Sequence, residues 1–93
     1  MGINTYPWDA TEHLDSEEAV AAYLADAIET ADIGYIRQAL SNVARARGMT
    51  QVAKDAGITR AGLYKALGEG GNPSFETVLA ITKALGVKLS VAA

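Results

Sequence analysis

The chain has no cysteine, one histidine, two prolines, and no lysine or arginine before position 37. Without cysteine there are no disulfides and no thiolate chemistry. His13 is the one histidine, with no second histidine and no cysteine to complete a ligand set, so neither a metal nor a cofactor is expected. The motifs of nucleophilic and zinc-dependent hydrolysis, G-x-S-x-G and H-E-x-x-H, are missing. GEGGN at 68–72 lacks the Lys-Ser/Thr of a phosphate loop and precedes Pro73, so it reads as a turn. The carboxylates lie where helix caps explain them. These absences argue against an enzyme. No apolar run approaches the roughly 20 residues a membrane-spanning helix needs. MGINTYPWDATEH lacks the basic start and apolar centre of a signal peptide. Tyr6 stands where a myristoylation signal following Met1-Gly2 has Ser or Thr. A cytoplasmic protein with no membrane partner is the expectation.

What the chain does have is apolar surface and a divided charge. Its 93 residues are 49% hydrophobic, enough for one domain or a small domain with an extension. Much of that fraction is alanine, which buries little area, so a monomer should be modestly stable and dimerisation would help. The net charge of −3 hides a split. Residues 1–36 hold Asp9, Glu12, Asp15, Glu17, Glu18, Asp26, Glu29 and Asp32 against no base. Residues 37–93 hold all eight bases and only Asp55, Glu69 and Glu76, a net of +5. The asymmetry suggests two partners of opposite charge; the alternative is that many of these acids serve only helix N-termini.

The periodicity predicts five helices. Residues 1–14, with Tyr6, Pro7 and Trp8, read as extended. Asp15 with Glu18 three residues on resembles a capping box, and Val20, Tyr23, Leu24, Ala27 and Ile28 follow at helical spacing to about Thr30. Asp32 caps a second helix with Ile33, Ile36, Leu40, Val43 and Ala44 inside, closed near Arg47 by Gly48. Two short helices follow. Pro73 and Ser74 open a fifth, with Phe75, Val78, Leu79, Thr82 and Leu85 as its inner face and Gly86 as its stop. Val87, Leu89 and Val91 then alternate with polar residues, a strand signal. Such a strand needs a partner: the segment around Thr5–Trp8, or its own copy in a second subunit.

The stretch from Met49 to Leu67, MTQVAKDAGITRAGLYKAL, carries the most chemistry. Val52, Ala53 and Ala56 make the apolar face of one short helix. Gly57 ends it where a left-handed residue is wanted, Ile58 plugs the gap, and Thr59 caps the next helix. Leu63 and Leu67 define the buried side of that helix, leaving Arg60, Ala61, Tyr64 and Lys65 outward. The arrangement is a helix-turn-helix, whose second helix usually enters the DNA major groove. Arg60 suits the N7 and O6 edge of guanine, a pairing that discriminates by about 1–3 kcal/mol. Ala61 suits a thymine methyl, and Lys65 a base edge or a phosphate. Tyr64, Thr59 and Lys54 suit phosphate oxygens, which set register without reading sequence. Any single cation here, taken alone, is more often an ordinary solvated charge; the motif reverses that for Arg60 and Lys65. Gly62 sits mid-helix at a cost of about 1 kcal/mol, either for close approach or as a tolerated defect. One domain reads few bases, so two copies about 34 Å apart on a palindrome are expected. Leu85–Val91 is the candidate dimer contact, with pairing to the chain's own N-terminal segment as the alternative.

Residues 32–91, through MTQVAKDAGITRAGLYKAL and then NPSFETVLAITKALGV, resemble the lambda-repressor-like (XRE-type) DNA-binding domains. With its DATEHLDSEEAVAAYLADAIE front, the whole chain is similar to the antidote proteins of bacterial addiction modules of the HigA kind. The resemblance implies an all-α, five-helix lambda-repressor-like domain with an N-terminal extended segment plus helix and a short C-terminal strand. It implies an acidic segment at 1–31 for the toxin or the dimer, and a DNA-binding domain at 32–93. Its expected role is an autorepressor that binds double-stranded operator DNA as a homodimer and neutralises a small basic toxin of the RelE/ParE-like group. Thr59, Arg60, Ala61 and Lys65 carry over on the ungapped recognition helix. Gln51 carries over as a phosphate contact with a departure: it stands six residues before Gly57, and Met49 holds the register where phage repressors place a backbone-contacting Gln. Asp9, Glu12 and Glu17, with Tyr6 and Trp8 as aromatic anchors, are the toxin-facing candidates; for Trp8, packing on the domain's own core is the alternative. Two other readings stand beside this one: a phage-type repressor with no toxin, and an interaction module that has lost DNA binding.

Overall fold

The computed structural model describes residues 16–88. Helix α1, Glu17–Glu29, starts from Ser16, whose Oγ accepts the Ala19 N–H at 3.0 Å. The cap therefore falls one residue later than expected from Asp15, and Ala19 rather than Glu18 takes the third helical position, so the expected capping box does not form at Ser16; Asp15 lies outside the described residues. Ser and Asp cap equally well, so adjacent candidates left the start open by one position. At the far end the Thr30 hydroxyl donates to the Ala27 carbonyl at 2.6 Å. Ala31 follows with φ 56, a region that side chains with a Cβ seldom occupy. Asp32 then caps α2, Ile33–Arg47, its Oδ1 accepting the Tyr35 N–H at 3.1 Å.

Gly48 separates α2 from α3, Met49–Ala56. Gly57, at φ 75 and ψ 27, stops α3 in the left-handed conformation. The N–H groups of Gly57 and Ile58 donate back to the carbonyls of Lys54 and Ala53 at 3.2 and 3.0 Å, the double closure that a left-handed residue past a helix end permits. Helix α4 is Arg60–Leu67, and α5 is Phe75–Ala84, opened by Ser74, whose Oγ accepts the Thr77 N–H at 3.1 Å. All five elements among the described residues are helices. Of the expected C-terminal strand only Val87 and Lys88 fall among the described residues; Val87 is half-buried against the core, and Leu89 and Val91 lie outside the described residues.

One hydrophobic core serves all five helices. Val20, Leu24 and Ala27 of α1 meet Leu40, Val43 and Ala44 of α2, Val52 and Ala53 of α3, Leu63 and Leu67 of α4, and Ile81 of α5. Helix α3 is the hub, packing on α2, α4 and α5, while α1 packs on α2. A hydrogen-bonded chain ties those last two: Gln38 donates to Asn42 at 3.1 Å, and Asn42 to the Tyr23 hydroxyl at 2.9 Å.

Several expected inward residues face out. Ile33 is 71% exposed, because the first turn of α2 projects past the core. Ile28 is exposed at the end of α1. On α5, Phe75 (73%) and Leu79 are exposed, and fully buried Ile81 takes their place beside Thr82. Val78, Thr82 and Leu85 do face the core as expected; apolar residues on most sides of that helix leave its face open among Phe75, Leu79 and Ile81, and contact with α3 selects Ile81. Leu85, the expected start of a dimer contact, is 0% exposed within its own domain and is closed to a second chain. Met49 is likewise buried and belongs to the core. Leu63→Ala should cost about 2–5 kcal/mol, a large fraction of a small domain's stability. Phe75→Ala should stay within about 0.5 kcal/mol; urea denaturation midpoints check both.

Candidate nucleic-acid interface

Helix α4 has two sides because Leu63 and Leu67 hold one of them down. Both are buried, and Arg60, Ala61, Tyr64 and Lys65 are exposed on the remainder. With Thr59 they form a ridge that contains no acid. Lys65 lies in the last turn, where a cation suits the helix dipole, so its place has a structural explanation. Arg60 occupies the first position of α4, against the dipole and with no acid in that turn, at a cost of about 0.3–1 kcal/mol that its contact with Tyr64 offsets.

Thr59 Oγ1 accepts the Gly62 N–H at 2.9 Å, capping the helix in the turn that presents the ridge. Gly62 belongs to that cap. A Cβ built on it would stand 3.0 Å from Thr59 Oγ1, so the glycine leaves the cap uncrowded. Arg60 lies over Tyr64, with its guanidinium carbon 5.4 Å from the ring centroid, and its Nη2 donates to the Tyr64 hydroxyl at 3.3 Å. On α3, Lys54 and Gln51 are exposed, and Gln51 Nε2 donates to Asp55 Oδ1 at 2.8 Å. Gln51 is thus engaged with an acid, which a phosphate contact would have to displace.

Residues from the GEGGN turn and from α2 frame the ridge. A shallow groove runs beside α4, lined among others by Ile58, Lys65, Glu69, Asn72 and Thr77. Arg37 of α2 reaches its wall, Nη1 donating to the Gly71 carbonyl at 3.4 Å across 34 residues of sequence. No local pattern announces a contact of that span.

The acids are arranged differently. Glu17, Glu18, Asp26, Glu29 and Asp32 are all exposed along α1 and its exit. Glu17 lies in the first turn, where an acid suits the dipole, and its carboxylate rests against Gly86. The other toxin-facing candidates, Tyr6, Trp8, Asp9 and Glu12, lie outside the described residues. A second groove, apolar and lined by Leu24, Ile28, Ile36, Val78 and Val87 among others, opens between α1, α2 and α5. Among the described residues no His, Cys, Asp or Glu cluster is arranged to hold a metal ion, and no helix is long and apolar enough to cross a membrane.

Residues 4–93 match the pattern of a family described as "Probable addiction module antidote protein". The chain is also similar to an uncharacterized protein of Haemophilus influenzae, 49% identical over 84 residues that cover 90% of this chain and 87% of the other. No solved structure matches it.

Removing the cap hydroxyl with Thr59→Ala should lower stability by about 1 kcal/mol. Thr59→Ser should retain most of it, as read from thermal or urea unfolding.

Proposed function

As the chain belongs to the family of probable addiction module antidote proteins, we propose that it is the HigA-type antitoxin of a type II toxin-antitoxin module, which neutralises a RelE/ParE-like, HigB-type toxin and represses its own operon. It acts by binding rather than by catalysis. The family supports the toxin half of this reading. The observation that carries the DNA half is the exposed, acid-free ridge from Thr59 to Lys65, with Arg60 set against its helix dipole.

The two short helices around Gly57 act as the helix-turn-helix of a lambda-repressor-like domain, and α4 enters the major groove. Arg60 reads a guanine edge, Ala61 meets a thymine methyl, and Lys65 takes a neighbouring base or phosphate. Lys54, Thr59 and Gln51 hold the backbone and fix the register. Thr59 retains its hydroxyl hydrogen for a phosphate after its oxygen accepts the cap bond. Two copies are required to read a palindromic operator. In this division of labour residues 1–31 meet the toxin, and residues 32–93 meet the operator. A toxin that cleaves RNA presents a basic substrate surface, and the exposed acids of α1 complement it in charge.

Replacing Arg60 and Lys65 together by Ala should abolish retardation of a duplex carrying the promoter of the chain's own operon while circular dichroism stays unchanged; an unaltered gel shift would sink the DNA half. Lys54→Ala should flatten the dependence of log K on log salt by about one per copy. Reversing Glu18, Asp26 and Glu29 to Lys should break co-purification with the toxin and its growth rescue while sparing the gel shift. Full rescue by that variant would remove α1 from the toxin contact.

A further inference from the structure

Arg60 and Tyr64 stand four residues apart, so they share one strip of the α4 surface. The guanidinium lies over the phenol ring, 5.4 Å from its centroid, and Nη2 donates to the hydroxyl at 3.3 Å. Tyr64 itself is held by its helix and is 41% exposed, so the ring is a platform open to solvent on the DNA-facing side. An arginine alone on a surface samples many rotamers and surrenders them when it binds. A planar guanidinium stacks on an aromatic face, and here that stacking selects a rotamer in the protein alone. Only one of the five guanidinium N–H groups is engaged with the hydroxyl. A pair of donors therefore remains for N7 and O6 of guanine.

We propose that Tyr64 is a positioning residue: it pre-sets the Arg60 guanidinium for a guanine edge, and in this way sets base preference without contacting the DNA backbone. The inference rests on the operator-binding reading and reassigns Tyr64 within it, from phosphate contact to arginine platform. A phosphate contact contributes equally on any sequence. A platform matters only through Arg60, and only where a guanine is there to be read.

The test uses the full chain with two duplexes, one carrying the operon's own promoter and one of scrambled sequence, at fixed salt. Tyr64→Ala should weaken promoter binding about threefold to fivefold and leave the scrambled duplex unchanged. Tyr64→Phe keeps the ring and should restore most of the affinity. In an Arg60→Ala background Tyr64→Ala should have no further effect, the signature of a coupled pair. An equal loss on both duplexes, or full additivity with Arg60→Ala, overturns the platform role and returns Tyr64 to the phosphates. A measurement without DNA separates this failure from failure of the reading beneath it. In the free protein the Arg60 side-chain protons should show an upfield ring-current shift by NMR, kept in Tyr64→Phe and lost in Tyr64→Leu. No such shift overturns the proposal outright. If the shift is present but Arg60→Ala leaves promoter binding untouched, Arg60 reads no base and the proposal alone fails; only an unaltered gel shift of the Arg60, Lys65 double variant removes the operator reading beneath it.

Discussion

The burial of Leu63 and Leu67 is the constraint on which the rest depends. Helix α4 has eight residues, too few to be helical alone in water. It exists because those two side chains are held by the core, and its ridge exists because the same anchorage turns Arg60, Ala61, Tyr64 and Lys65 outward. The left-handed Gly57 and the Thr59 cap decide where this short helix starts, and so fix the phase of the ridge relative to α3.

Electrostatics and folding are kept apart in this molecule. The described core is made of aliphatic side chains and small alanines, with Ser41 and Thr82 as its buried polar members. Apart from half-buried Arg37 the described charges are exposed, with α1 purely acidic and α4 purely basic. Sorting of that kind does little for stability, since exposed charges contribute little to it. It shapes instead the field that an approaching partner meets. In the proposed antitoxin, one fold of modest size offers two such partners surfaces of opposite sign.

How far the sequence could be read depended on how local the deciding interaction was. The turn at Gly57 and Ile58, the caps at Thr59, Asp32 and Ser74, and the two-sidedness of α4 all follow from residues within a few positions of one another, and the structure has them. Asp15 and Ser16 compete for the cap of α1, and spacing alone does not choose Ser16 between them. On α5 the inward Val78, Thr82 and Leu85 follow from spacing, whereas Phe75, Leu79 and Ile81 spread around the helix and only packing against α3 chooses Ile81 among them. The Arg37 tether to Gly71 and the Asn42 bond to Tyr23 span 34 and 19 residues, and single-sequence patterns carry no trace of them. On α4, spacing showed that Arg60 and Tyr64 share a strip; that the guanidinium lies over the ring took side-chain coordinates to see.

The reach of α1 into the common core has a consequence for how such chains diversify. Val20, Leu24 and Ala27 come from the acidic half, yet they complete the same interior as Leu63 and Ile81. The change of charge near residue 36 is therefore not a seam along which the chain can be cut and rejoined. A graft that imported a foreign acidic front would import its inner face as well, and that face must fit α2. The outer acids of α1 can be exchanged without disturbing that interior, while its inner residues travel with the helices they touch.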